Sequence, residues 1–408
     1  MREFTLLIWP SLILGAGCAY ALLSPGQGVL WRPGYALTFL LIGFWGTHLV
    51  LQATGHRGDE YLLPLAFCLT AIGLTFIGRL DAHLAWRQVT WTAIAILALI
   101  VTVTAGRDYQ RWLQYPYFYL TLGLFFLVLT VILGTRISGA KSWLTLGSFQ
   151  MQPVEAVKIL MVLFLANFLE IKRELLSARA GVAAWGPLLL AVALALLFLV
   201  IQRDLGSALI ILTTFLAMLY VATQRLRFVL GGGLIFAFGV LAAYHLFPYL
   251  RVRFGVWLNP WPVAQAAGYQ VVQGLFAFAG GGLLGTGLGL GQPEFIPAVA
   301  TDFIFAAIGE ELGLAGGLAI ICLYILLAYR GYRAALRAPD GEGLLLAAGL
   351  TFLLTFQAFV IMAGVSKLLP LTGVTLPFVS YGGSSLVASY IALGLLLNVS
   401  AAGWNEQR

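Results

Sequence analysis

Only 10% of the 408 residues are charged, against roughly 25% in a soluble domain. That shortage excludes a pair of water-soluble globular domains. Cysteine is also scarce. Cys18, Cys68 and Cys322 all fall inside apolar runs, which excludes a disulfide framework and a zinc site. The four histidines, His48, His56, His83 and His245, are scattered and read as structural or interfacial. H-E-x-x-H, a P-loop, G-x-S-x-G and the D-x-D pair that holds a metal for a nucleotide-sugar are all missing. No soluble linker, low-complexity tract or clear internal repeat interrupts the chain.

What the chain does have is apolar length. Hydrophobic residues make up 61% of it, and a membrane span needs about 20 of them in a row. Such stretches lie near 4–23, 33–52, 61–78, 89–105, 115–134, 154–170, 184–202, 205–222, 227–248, 303–329, 343–366 and 383–402. They predict an all-α integral membrane protein of about twelve transmembrane helices, one polytopic domain over 1–408, with a large loop over 251–302. The first stretch is too long for a signal peptide and leads straight into further spans, so it reads as a retained helix. Cys18 follows Leu14-Gly-Ala-Gly17, where the leucine stands one position too far upstream for a lipoprotein cleavage site.

The net charge of +7 would suggest nucleic acid for a soluble chain. Here its distribution over the loops is what informs, and no nucleic-acid partner is expected. The larger share of basic residues falls in the loops that face the cytoplasm if both termini are cytoplasmic. Yet Arg136, Lys141, Arg203, Arg251, Arg253 and Lys367 all fall on the opposite, outer side. Basic residues there either anchor helix ends at the headgroups or form a site for an anion, most naturally a phosphate or pyrophosphate.

Three stretches of that side hold the candidate chemistry. The loop from Arg136 to Pro153 is amphipathic, with Trp143 suited to the interface, and leads into a helix with Glu155 and Lys158 on one face. Ionisable groups inside a membrane are functional suspects. The loop from Arg251 to Ala300 is long enough to be structured or functional. A short surface helix is expected over 269–279, and its glycines lack the G-x-G-x-x-G spacing. Near the end, Pro370, Gly373, Pro377 and the Gly382-Gly383 pair interrupt two spans. Irregular backbone at that depth must be buried or line a cavity, here with hydroxyls of Thr372, Thr375, Ser380, Tyr381, Ser384 and Ser385.

Asp302 stands where the long loop becomes an apolar helix, with Thr301 as the expected capping hydroxyl and Asp302 in the first turn. On one continuous helix Glu310 and Glu311 would lie about 12–14 Å further along the axis, turned about 80° and 180° away. A direct acid–base dyad is thereby excluded. A lone outward carboxylate amid basic groups suits removal of a proton from a hydroxyl acceptor while the cations stabilise a departing pyrophosphate. A lipid-linked donor accounts for the missing nucleotide site.

These residues resemble the SEDS family (shape, elongation, division and sporulation) of peptidoglycan polymerases. The matching pieces are Gly139-Ala-Lys-Ser-Trp143, Gln152-Pro-Val-Glu155 with Lys158, and Gln202-Arg-Asp-Leu-Gly206. They continue with Asn259-Pro-Trp261, Gly268-Tyr-Gln270, Thr301-Asp-Phe-Ile-Phe305 and Gly309-Glu-Glu-Leu-Gly313, and end with the run from Pro370 to Ser385. The resemblance implies a ten-helix core over 56–408 preceded by an extra helix pair over 1–55, as in longer actinobacterial-type members. It also implies lipid II as substrate, a growing glycan strand as product and a class B penicillin-binding protein as partner. Asp302 falls on the family's essential aspartate. As general base it would direct the acceptor hydroxyl at the donor anomeric carbon with inversion, displacing undecaprenyl pyrophosphate. Substrate contacts are expected among Arg136, Lys141, Trp143, Gln152, Glu155, Lys158, Arg203, Asp204, Arg251, Arg253, Lys367, Thr372, Ser380 and Ser384. The family is linked to a divalent cation (Mg or Mn), for which no ligand set is legible here. Ala300, Ser142 and Val154 depart from the family's usual His, Arg and Ser.

Two other classes stay open on the same features. A transporter of the lipid-linked precursor would use interrupted helices and a basic cavity, though no inverted repeat is visible. A non-catalytic scaffold for a penicillin-binding protein would leave Asp302 as a cap.

Overall fold

A computed structural model describes residues 2–23, 33–137, 140–146, 149–173 and 182–406; Gly139 of the first matching piece lies outside them. The chain is a helical bundle. Its long helices are α1 (Ile8–Leu23), α2 (Pro33–Ala53), α3 (Leu62–Leu80), α4 (Ala82–Ala105), α5 (Pro116–Leu133), α6 (Val154–Ile171), α7 (Val182–Gln202), α8 (Leu205–Thr223) and α9 (Leu226–Leu246). Beyond them come α10 (Pro248–Leu258), α11 (Tyr269–Gly281), α12 (Ile304–Glu311), α13 (Gly313–Leu336), α14 (Gly341–Val365) and α15 (Gly383–Glu406). Ten helices among the described residues are long and apolar enough to cross a membrane. Two of the expected twelve miss that measure: α6, which carries Glu155, Lys158 and Glu170, and α2, whose apolar part is the shorter Leu37–Ala53.

Local chemistry fixes several helix starts. Asp81 caps α4 by accepting from the amides of His83 and Leu84, Asp204 caps α8 through Ser207 and Asp340 caps α14 through Gly343. Pro116 and Pro248 open α5 and α10, at positions where a missing amide costs nothing. Helices in lipid gain by close packing rather than by leaving water. The middle of the bundle is accordingly tight: at Gly349 of α14 an added Cβ would sit 2.6 Å from Met218 Sδ.

Helices α3, α6, α8, α14 and α15 form the buried centre. The first two helices pack outside it, α1 against α3 and α2 against α4. Phe44 stacks on Phe67 at 3.9 Å, and Trp45 Nε1 donates to Ser11 Oγ. At the other extreme α9 buries none of its residues and presents Leu230, Leu234, Ile235 and Phe238 outward.

Two expectations are corrected. The amphipathic loop after α5 is a small antiparallel sheet in an otherwise helical protein. Its strands β1 (Thr135–Ile137), β2 (Ala140–Leu146) and β3 (Phe149–Met151) run in that order, with Thr135 opposite Trp143 and Thr145 opposite Gln150. The single span expected over 303–329 is two helices, because Gly313 takes a φ of 66° and the chain breaks there. The glycine-rich segment splices the break. Thr286 and Gly287 amides donate to the freed carbonyls of Glu310 and Glu311, while Leu314 and Ala315 amides donate to Gly282 and Leu283. Both helix ends are thus satisfied without water. The helix expected over 269–279 is present as α11, and it packs against α12.

Candidate active site

The turn before α12 is built by one strained residue. Ala298 has a φ of 52°, and its carbonyl accepts from the Thr301 amide, the Asp302 amide and the Thr301 hydroxyl at 3.0–3.1 Å. That carbonyl occupies the Thr301 hydroxyl, so α12 starts at Ile304 with Phe303 as an N-cap that makes no side-chain bond. Asp302 therefore precedes the helix instead of sitting in its first turn, and Thr301 caps nothing. The segment from Pro370 to Gly382 fastens this turn from the other side. The Tyr381 amide donates to Ala300 O at 2.8 Å; Ser380 Oγ donates to Thr301 O and accepts from the Leu376 amide.

That segment runs past the carboxylate: a Cβ added to Gly373 would stand 3.6 Å from Asp302 Oδ2. Gly206 backs the same segment, since a Cβ there would meet Thr372 O at 2.8 Å. Asp302 keeps partial exposure but is packed round by protein. Burial pushes its carboxyl up to about 6, with the Thr301 hydroxyl and the Arg253 charge offsetting only part of that. It forms no ion pair among the described residues.

Beside it lies a cavity of about 420 Å³ whose lining includes Arg203, Arg253, Lys367, Tyr249, Trp257 and Gln270. Leu371, two residues from Gly373, also lines it. Gln270 Nε2 donates to Pro297 O at 2.7 Å, tying the lining to the Asp302 turn. Arg203 and Lys367 both have a φ of 62°. Left-handed backbone at a non-glycine residue costs on the order of 1–3 kcal/mol and collects at functional sites. Trp257 Nε1 holds the Lys367 carbonyl at 3.1 Å. None of the three cations has a carboxylate partner among the described residues.

The structure thus brings together three of the six outer cations. The other three stand apart. Arg136 is exposed on β1, Arg251 is exposed on α10, and Lys141 Nζ donates to the carbonyls of Val131 and Ile132 at the end of α5. Helical spacing explains the split on α10. Tyr249, Val252, Arg253 and Val256 form an i, i+3, i+4, i+7 stripe that lines the cavity, and Arg251 falls off it. A helix assigned over 248–258 in the sequence would have exposed that stripe. Tyr249, Trp257 and Gln270 were not among the expected site residues.

Several expected contacts hold the frame instead. Glu155 and Lys158 pair at 2.8 Å, and Lys158 Nζ also donates to Gln357 Oε1 at 2.6 Å. Gln357 Nε2 reaches Thr375 O at 2.9 Å. Both ionic partners are buried. Asp204 Oδ1 and Oδ2 bind Ser207. The Gln152 amide donates to Ser384 Oγ, Trp143 lies half-buried on β2, and the buried Thr372 hydroxyl has no hydrogen-bond partner among the described residues. Glu311 pairs with Arg79 at 2.9 Å and binds the Gly289 amide, while Glu310 binds the Gln292 amide. Both carboxylates therefore shape the glycine-rich segment. The described residues hold no group of three or more His, Cys, Asp or Glu side chains fit for a metal.

A family model described as "Cell cycle protein", covering FtsW, RodA and SpoVE, matches residues 61–403. The chain is 40% identical to a peptidoglycan glycosyltransferase RodA of Mycobacterium tuberculosis over 98% of its own length and 90% of that protein's. It is 38% identical to the stage V sporulation protein E of Bacillus subtilis, over 84% of this chain and 96% of the relative. Among solved structures, one from work on the coordination of polymerization and crosslinking by a peptidoglycan synthase complex aligns with a TM-score of 0.73 and 30% identity, covering 84% of this chain and 98% of that one. The crystal structure of the rod shape determining protein RodA of Thermus thermophilus aligns with a TM-score of 0.62 and 29% identity, over 84% and 97% of the two chains.

Proposed function

The chain belongs to the FtsW, RodA and SpoVE family, and from that membership we propose that it is a peptidoglycan glycosyltransferase. It is a multi-pass membrane protein. It polymerises lipid II at the outer face of the cytoplasmic membrane, with both termini cytoplasmic, beside a class B penicillin-binding protein. The solved peptidoglycan synthase complex supports such a partner.

One observation carries the chemistry: a carboxylate with no ion pair among the described residues stands next to a cavity lined by three cations that likewise have none there. Asp302 accepts the proton of the acceptor hydroxyl. The freed oxygen forms a bond to the donor anomeric carbon from the face opposite the leaving group, so the centre inverts. The bond from that carbon to the diphosphate oxygen breaks, and the electron pair leaves with undecaprenyl pyrophosphate. Arg203, Arg253 and Lys367 receive the developing charge, in a site where fixed cations act more strongly than in water. A carboxyl near 6 is a stronger base than an ordinary one yet still ionised at neutral pH, as a general base requires. The described residues hold no cluster of three or more His, Cys, Asp or Glu side chains for the family's divalent cation, and no step is routed through one.

Purified protein with fluorescent lipid II and its partner provides the test. Glycan ladders are expected from the wild type and none from a folded Asp302→Asn variant; equal polymer from both would overturn the assignment.

A further inference from the structure

Among the described residues, Tyr249 is the cavity-lining residue with a buried side-chain polar atom, its hydroxyl oxygen, left without a hydrogen-bond partner. A buried polar group without a partner loses its hydration for nothing in return, so its retention requires an explanation outside the fold. Cations outnumber carboxylates around it, with Arg203 and Arg253 set against Asp204. The Arg203 guanidinium lies 5.4 Å from its ring centroid, and Arg253 follows it by one helical turn on the same stripe of α10. Lys367 faces the same cavity. Burial raises the phenol above its usual range against the pull of the two arginines, so it stays a donor.

We infer that Tyr249 is a ligand-binding residue, donating its O–H to a diphosphate oxygen held by Arg203, Arg253 and Lys367. The inference rests on the assignment of that cavity to the donor diphosphate. It adds a neutral donor to a set of charges. Cations alone hold any compact anion, whereas a fixed hydroxyl among them selects by shape, here for two linked phosphates over one. Ring stacking with Arg203 aims both groups, since a Tyr ring held against a guanidinium has little freedom left.

The test uses the full chain in detergent micelles and inorganic pyrophosphate as probe, with inorganic phosphate as the comparison anion. Thermal unfolding is followed as each anion is titrated into wild type, Tyr249→Phe, Arg203→Gln and Lys367→Gln. Without anion, Tyr249→Phe should melt at or above the wild-type temperature, because it deletes an unpaired buried hydroxyl and keeps the ring. Pyrophosphate should stabilise the wild type at concentrations well below those needed for phosphate. In Tyr249→Phe the half-maximal pyrophosphate concentration should rise about tenfold, the scale of a hydrogen bond to a charged group, and the preference over phosphate should shrink. Loss of stability without anion, or unchanged pyrophosphate affinity, overturns the role of Tyr249. If Arg203→Gln and Lys367→Gln also bind pyrophosphate as the wild type does, the cavity assignment falls with it. If they weaken while Tyr249→Phe does not, the cavity stands and only the tyrosine is lost.

Discussion

Two regions of this bundle use the same kinds of side chain to opposite ends. At the start of α6, Glu155, Lys158 and Gln357 lock together at 2.6–2.8 Å. At the Asp302 end, a carboxylate and three cations share one neighbourhood, and none of them pairs with another. A charge that meets its partner inside the protein has its field consumed there, and it serves the fold. A charge held apart, at the expense of buried area and left-handed backbone, keeps its field for something that arrives. The Arg79–Glu311 pair repeats the first pattern at the rim, where it fastens the glycine-rich segment.

The largest break in this contrast should come from Asp302→Asn. Removing a general base costs roughly 10²–10⁴-fold in rate, so glycan ladders should vanish while the protein still binds its partner and unfolds cooperatively. Lys158→Met should do the reverse. Leaving Glu155 buried without its partner costs about 3–5 kcal/mol, read as a lower melting temperature and a poor yield. The double variant Glu155→Leu/Lys158→Met should recover at least half of that loss, since a buried pair replaced as a unit is often neutral. No recovery would mean that the pair stabilises the fold beyond what apolar packing can replace.

A smaller effect follows from the carboxyl near 6. Polymerisation should fall about tenfold for each pH unit below that value, since only the ionised form takes a proton. Stability should move the other way. The folded state holds this proton more tightly than the unfolded chain, so stability present at low pH is lost as pH rises from about 4 through 6. Asp302→Asn should therefore melt above the wild type at pH 7.5 and match it near pH 4. Equal melting temperatures at both would show that burial does not penalise the charge.

The helical class and most of the spans were legible in the sequence, because apolar length and interruptions by Pro and Gly are local signals, whereas Asp302, expected in the first turn of its helix, stands before it. The break at Gly313 was not legible, since α12 and α13 read as one apolar run and the splice comes from a segment some 30 residues upstream. Nor was the fate of each cation. Lys141 stands between two apolar runs as Arg203 does, yet on β2 it turns to the carbonyls of α5. Which of them faces the cavity depends on backbone conformation at Arg203 and Lys367 and on helical phase at Arg253, none of which composition records. Nothing in the sequence sets Tyr249 apart, because an aromatic at a membrane rim is ordinary; that its hydroxyl lacks a partner among the described residues is a fact of tertiary structure.

The finest form of the comparison lies between neighbours in the chain. Arg203 and Asp204 stand together in Gln202-Arg-Asp-Leu-Gly206, and opposite charges one residue apart would seem bound to neutralise each other. The turn between α7 and α8 prevents it. The left-handed Arg203 aims its side chain at the cavity, while Asp204 turns inward and closes on the Ser207 amide and hydroxyl at 3.1 and 2.9 Å. One residue is left free and the other is committed. Asp204→Ala should thus cost about 1 kcal/mol of stability, the usual loss of an N-cap, with the KM for lipid II unchanged. Arg203→Gln should leave the melting temperature in place and raise that KM. A rise in KM for Asp204→Ala at unchanged stability would mean that the aspartate also acts on the ligand, and the division between paired and unpaired charge would not hold at the point where the two are adjacent.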